Sequence, residues 1–177
     1  MVNVARNRLS WLQASIVKQY GAMMRPEEVA GRLPGAFFFL LSTLVSLLVF
    51  EEPICRLAVL NLSFGDPVAS VVGQTFGHQK QRRLALLAPG KTLEGALACF
   101  CVCSFLGLAW AGAVLGGGAD LGALGALVYC IVVALVSGAS SAFAEGVVPG
   151  LIAVDDNLCI PLVSGACLTL CAWAMRE

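Results

Sequence analysis

Long apolar runs alternate with short polar breaks along the 177 residues. Met1 to Gly31 is polar and basic. Val4, Leu9, Leu12, Ile16 and Tyr20 fall at loosely helical spacing, with Arg6, Arg8 and Lys18 elsewhere on the wheel, as in an amphipathic surface helix or a short connecting one. Pro26-Glu27-Glu28 has the form of a helix start. Pro34 to Phe50 carries no charge and predicts a helix of roughly 26 Å, at the short end for crossing a bilayer. Further apolar runs cover 54–72, 93–115, 121–144 and 158–174. The second of the five is interrupted by Gly65-Asp66-Pro67. Aspartate as an N-cap and proline at the first helical position predict a break there, with a half-helix restarting at Pro67. The pattern predicts an all-α fold: a polytopic transmembrane helical bundle of about five spans, one broken at Gly65-Asp66-Pro67. Residues 1–33 form an N-terminal amphipathic or connecting segment and 34–177 one membrane-embedded domain.

Composition agrees with that reading. Hydrophobic residues make up 59% and charged residues 12%, against about 25% charged in a soluble domain. The net charge is zero, so nothing points to a nucleic-acid partner. Eight cysteines are scattered through the apolar runs. Cys99, Cys101 and Cys103 are spaced by two, which fits neither a zinc knuckle nor a C-x-x-C pair, so they read as small buried side chains. The first twenty residues hold no apolar core of the signal-peptide kind. Small residues at spacing four (Gly138, Ala142 and Gly146; Gly112 and Gly116) predict close helix packing.

Charge placement orients the spans. Arg25 and Arg32 precede the first, and Lys80, Arg82, Arg83 and Lys91 lie between the second and third. The opposite loops hold Glu51, Glu52 and Asp120 without lysine or arginine. The positive-inside rule puts the basic loop, and with it 145–157, on the cytoplasmic side. Asp66, the basic loop, Glu94, Glu145, Asp155, Asp156 and Asn157 then share one face.

Several of these residues are candidates for chemistry. An ionisable group inside an apolar span, such as Asp66, marks function by default. The loop's His78, Lys80, Arg82, Arg83 and Lys91, with Gly73, Gly77 and Gly90, suit a phosphate-rich ligand, although a positive-inside loop touching anionic headgroups explains the charges as well. Gly90-Lys91-Thr92 is not a P-loop, because Ala85 stands where the upstream glycine belongs. His78 is the one histidine and has no zinc partner. Glu94 opens a helix, where an acid favours the dipole. Glu145 ends the fourth span on the face of Ser137 and Ser141, and Asp155-Asp156-Asn157 reads as an N-cap cluster. Carboxylates beside a basic loop are what a magnesium–nucleotide site needs.

The run Leu62-Ser63-Phe64-Gly65-Asp66-Pro67-Val68-Ala69-Ser70, then Gly73, Phe76-Gly77, and Gly90-Lys91-Thr92-Leu93-Glu94-Gly95 resembles the CTP-dependent lipid kinases. That family includes diacylglycerol kinases of yeast type, dolichol kinases, phytol kinases and bacterial diacylglycerol/polyprenol kinase relatives. Glu145, Asp155-Asp156-Asn157-Leu158 and Pro161 resemble its carboxy-terminal motif, and Arg25-Pro26-Glu27-Glu28 its start, so the likeness covers roughly 24 to 170. It implies an integral membrane kinase moving the γ-phosphate of CTP to a lipid hydroxyl, with a divalent cation such as Mg2+. Diacylglycerol is the first candidate, giving phosphatidate; dolichol, polyprenol and phytol are the alternatives. Carried over, Asp66, Glu94 and Glu145 are the expected catalytic residues, and Asp66 and Asp156 the metal ligands. Lys91, Lys80, Arg82, Arg83, Gly73, Gly77 and Asn157 are expected to bind the nucleotide. The partners implied are the bilayer, a lipid substrate and a nucleotide, and a homo-oligomer is admitted. The membrane would be the endoplasmic reticulum in a eukaryote or the inner membrane in a bacterium. Members commonly have further spans and an Arg-Lys-x-x-His type motif ahead of this region. Neither stands in the sequence, which leaves a shortened member, a fragment and an inactive relative as readings.

Two other functions compete. A phosphatidate cytidylyltransferase also binds CTP in a membrane, but its Lys-Asp, His-Gly-Gly and Asp-Arg signatures are absent. A non-catalytic membrane subunit or small transporter would keep the polar cleft without chemistry.

Overall fold

The computed structural model describes residues 35–77, 87–116, 122–152 and 154–175, with Ala14 and Lys18, both helical. The expected helix at 1–33 and the cations Lys80, Arg82 and Arg83 lie outside the described residues, apart from those two. The chain divides into two compact units, Met1–Phe37 and Phe38–Glu177, and every side chain of the site below belongs to the second.

From Gly35 onward the described residues form six helices and no strand: α1 (Gly35–Val49), α2 (Glu52–Phe76), α3 (Leu93–Gly116), α4 (Ala123–Gly146), α5 (Val148–Ile152) and α6 (Asp156–Ala174). Helices α2, α3, α4 and α6 are long and apolar enough to cross a membrane. The first expected span, Pro34 to Phe50, corresponds to α1, whose 15 residues make roughly 22 Å of helix, short of the usual crossing length. α3 packs between α2 and α4, and α6 also lies against both, so the four long helices form a closed ring. The helical membrane bundle expected from the apolar runs is present.

The expected break in α2 is not. The helix runs without interruption from Glu52 to Phe76, with Pro67 inside it. Proline removes one N–H and crowds the carbonyl of Ser63 four residues back. A true break would leave several backbone groups unpaired, and in hydrocarbon each is costly. One lost bond is the smaller penalty, so the helix continues. Asp66 is consequently not an N-cap.

Gly65 has its own reason. A Cβ there would lie 2.8 Å from Cys103 Sγ and 3.1 Å from Cys99 Sγ, so glycine lets α2 close onto α3. Gly138 likewise brings α4 onto α3, where a Cβ would meet Phe100 O at 2.7 Å. The second small-residue pair is different: nothing lies within 4 Å of a Cβ at Gly112 or Gly116. All eight cysteines are free thiols; Cys55, Cys99, Cys103 and Cys159 are buried and Cys101 is exposed.

Several hydroxyls inside the spans bond their own helix. Thr43 donates to Phe39 O, Ser63 to Val59 O and Thr169 to Gly165 O, each at 2.8 Å. One polar node crosses between helices. Asn61 Nδ2 donates to Ser137 Oγ at 2.8 Å, and Ser137 Oγ lies 2.9 Å from Cys103 O, tying α2, α4 and α3 together in the interior. Asn61 and Ser137 are both fully buried.

Candidate functional site

The ends of three helices meet beside the middle of α2. α4 finishes at Gly146, whose carbonyl accepts from Ala88 N at 2.7 Å and so fixes the stretch leading to α3. Lys91 N donates to Ala88 O at 3.0 Å, closing a turn in which Gly90 has φ +86°. That left-handed value favours glycine. Thr92 Oγ1 then accepts from Gly95 N at 3.1 Å, capping the start of α3. On the other side Asp155 caps α6 by accepting from Asn157 N at 3.1 Å.

These turns place Lys91 among acids. Its Nζ lies 2.5 Å from Glu145 Oε1 and also donates to Asp156 Oδ2. Both carboxylates are buried, while the lysine side chain remains 24% exposed. Burial alone would lower the Lys91 pKa, but the Glu145 and Asp156 carboxylates outweigh it and hold the pKa above the ordinary lysine value. Asp66 of α2 completes the cluster: one carboxylate oxygen from each of Asp66, Glu145 and Asp156 lies within 4.8 Å of the others.

Three features of this group exceed what packing needs. Glu145 stands in the last turn of α4, where the helix dipole disfavours an acid. Its Oε2 is buried and has no hydrogen-bond partner among the described residues, which leaves it available to a bound ion or an ordered water. The donor set is all carboxylate, the hard-oxygen type that suits Mg2+ or Mn2+. The residues therefore fit a divalent cation held by Asp66, Glu145 and Asp156.

Other candidates fall around this centre. Asn157 donates from Nδ2 to Asp155 Oδ1 at 2.8 Å and Asp156 Oδ1 at 3.3 Å, so it braces one oxygen of Asp156 while Lys91 takes the other. Burial raises the Asp155 pKa despite the Asn157 bonds that oppose it. Glu94 lies in the first turn of α3, outside the three-carboxylate cluster. Gly73 and Gly77 face Thr92: a Cβ on Gly73 would be 2.8 Å from Thr92 Oγ1, and one on Gly77 2.6 Å from Thr92 Cγ2. Both let the end of α2 approach the start of α3. Sequence reasoning passed over Asn61, an amide inside an apolar run whose only signal was its polarity there.

No family model matches the chain, and no solved structure matches it. The chain is 35% identical over 149 residues to CTP-dependent diacylglycerol kinase 1 of Schizosaccharomyces pombe, a match covering 84% of this chain and 64% of that protein. The chain thus spans under two thirds of the length of the curated relative it matches. The matched share of this chain is large enough to take in most of the bundle, which is therefore similar to a CTP-dependent diacylglycerol kinase.

Proposed function

We propose that the chain is an integral membrane kinase that transfers the γ-phosphate of CTP to the hydroxyl of a lipid alcohol, with diacylglycerol as acceptor and phosphatidate as product. The observation that carries this reading is the convergence of Asp66, Glu145 and Asp156 within 4.8 Å beside Lys91. The relative's name, a CTP-dependent diacylglycerol kinase, supports the choice of donor and acceptor. The exposed apolar flanks of the bundle, Phe64, Val71, Leu97 and Leu151 among them, suit a substrate that stays in the bilayer.

In this reading Glu145 and Asp156, with Asp66, hold a divalent cation. When bound, that ion would neutralise charge on the nucleotide's β- and γ-phosphates. Lys91 binds phosphate oxygens, and Lys80, Arg82 and Arg83, close by in the sequence, supply further positive charge for the nucleotide. Asn157 orients Asp156. The lipid oxygen bonds to the γ-phosphorus as the bond to the β–γ bridging oxygen breaks, and CDP leaves with that electron pair. The hydroxyl proton passes to Asp66, which is less buried than Glu145 and Asp156. Glu94, in the first turn of α3, is not one of the three clustered carboxylates and adds its negative charge at that helix start. The active face is cytoplasmic by the positive-inside argument.

The test is product analysis. Purified, reconstituted protein receives CTP or ATP, labelled at the γ-phosphate, with diacylglycerol, dolichol, polyprenol or phytol. Labelled phosphatidate together with CDP is expected. Pyrophosphate and a cytidylylated lipid would move the chain to the cytidylyltransferases, and no turnover with any acceptor would favour a non-catalytic subunit.

A further inference from the structure

Lys91 stands where a cation bridging Glu145 and Asp156 would stand. Its ammonium is 2.5 Å from Glu145 Oε1 and bonded to Asp156 Oδ2, and both residues belong to the three-carboxylate cluster. An ammonium and a divalent ion cannot both hold those oxygens closely, because like charges a few ångströms apart repel strongly in a poorly solvated site. The lysine is also placed to move. It follows the exposed turn at Pro89-Gly90, keeps 24% of its side chain exposed, and directly precedes Thr92, the cap of α3. A short swing of its flexible stem would carry the ammonium toward that helix start, where backbone N–H groups and the dipole favour phosphate. Meanwhile the buried Oε2 of Glu145 has no partner, so Lys91 leaves part of the cluster's donor capacity unused.

Resting on the metal–nucleotide reading above, we propose that Lys91 is an exchangeable counter-ion. It neutralises Glu145 and Asp156 in the arrangement seen, gives them up to a divalent cation, and then binds the phosphates of the nucleotide. Metal and nucleotide would therefore bind with positive coupling, since each favours the swung position of the same side chain.

Nucleotide-free Mn2+ binding, read from the spin-resonance signal of the free ion, tests the exchange in wild type, Lys91→Met and Asp156→Asn. Lys91→Met should bind Mn2+ about tenfold or more tightly than wild type, the scale of one charge-assisted contact removed from competition. Asp156→Asn should lose the binding. Because removing one partner of a buried pair can destabilise a fold, a second measurement uses wild type alone. The rate of amine acylation at Lys91, read by mass spectrometry, should rise several-fold with Mg2+ and fall again when a non-hydrolysable CTP analogue is added. Unchanged or weaker Mn2+ binding in folded Lys91→Met, or an acylation rate indifferent to Mg2+, would overturn the exchange. The metal site would survive that result if Asp156→Asn still abolished binding. No Mn2+ binding by either wild type or Lys91→Met would overturn the exchange and the metal site together.

Discussion

Lys91 is the residue on which two demands meet: it neutralises Glu145 and Asp156, and the proposed reaction needs it on phosphate. Lys91→Met is expected to raise the nucleotide KM about tenfold or more, since one charge-assisted contact is worth about 1.5–3 kcal/mol. Steady-state kinetics over a CTP series checks this. The lysine's pKa is raised above 10.5 by the two acids, so its charge stabilises the fold at neutral pH. That contribution is lost only as pH rises through the raised value. The stability difference between wild type and Lys91→Met should accordingly persist from neutral pH to beyond 10.5 in detergent melts. Asn157, bonded to Asp155 and Asp156, acts one step further out. Asn157→Ala should weaken Mn2+ binding by about 10–100-fold, as loss of a residue that orients a metal ligand usually does; titration with Mn2+ measures it. The acids were legible in the sequence because carboxylates stand out at the ends of apolar runs or inside them. Their pairing with Lys91 was not, because it joins residues 54 and 65 positions apart and no local pattern encodes such a contact. The bond between Asn61 and Ser137, 76 positions apart, was hidden for the same reason.

Helix α2 carries the main departure from local expectation. Aspartate followed by proline is a strong start signal for a helix, yet α2 passes through both. The requirement that a membrane segment satisfy its own backbone overrides the dipeptide preference. What the dipeptide obscured was Gly65, whose missing side chain lets α2 lie on Cys99 and Cys103 of α3. Gly65→Ala should destabilise the bundle by about 1–3 kcal/mol through overpacking, read as a lower melting temperature in detergent. Adding Cys103→Ala should recover much of that loss, because the blocking atom is a side-chain sulfur. Gly112→Ala, at a position with open space around it, should leave the melting temperature near wild type. The apolar lengths of α3, α4 and α6 were plain from the sequence, since periodicity and run length are sufficient for a span. Which small residues lie in contact was not, since spacing four is shared by the stripe that packs and the pair that does not.

Across the molecule, the ring of α2, α3, α4 and α6 brings Lys91, Glu145 and Asp156, at or beside the ends of α3, α4 and α6, against Asp66 within α2. In the proposed topology these helix ends face the cytoplasm. An impermeant thiol label at a cysteine replacing exposed Pro89 should react only from the cytoplasmic side. One replacing exposed Gly122, between α3 and α4, should react only from the other. Labelling of both from one side would break the topology. The central claim, however, is that the cluster works through its charge. Because Asp66 lies inside a continuous helix, an N-cap role no longer competes as an explanation for it. Asp66→Asn keeps the size of the side chain and one acceptor oxygen, and removes the negative charge. Proton transfer alone is worth about 10²–10⁴-fold, and a lost metal contact adds to that. The deciding measurement is phosphoryl transfer from CTP to diacylglycerol by reconstituted Asp66→Asn beside wild type, with the folded fraction of each taken from gel filtration in detergent. A folded mutant with turnover reduced by about 10² or more is the predicted result; a folded mutant turning over near the wild-type rate would contradict the account.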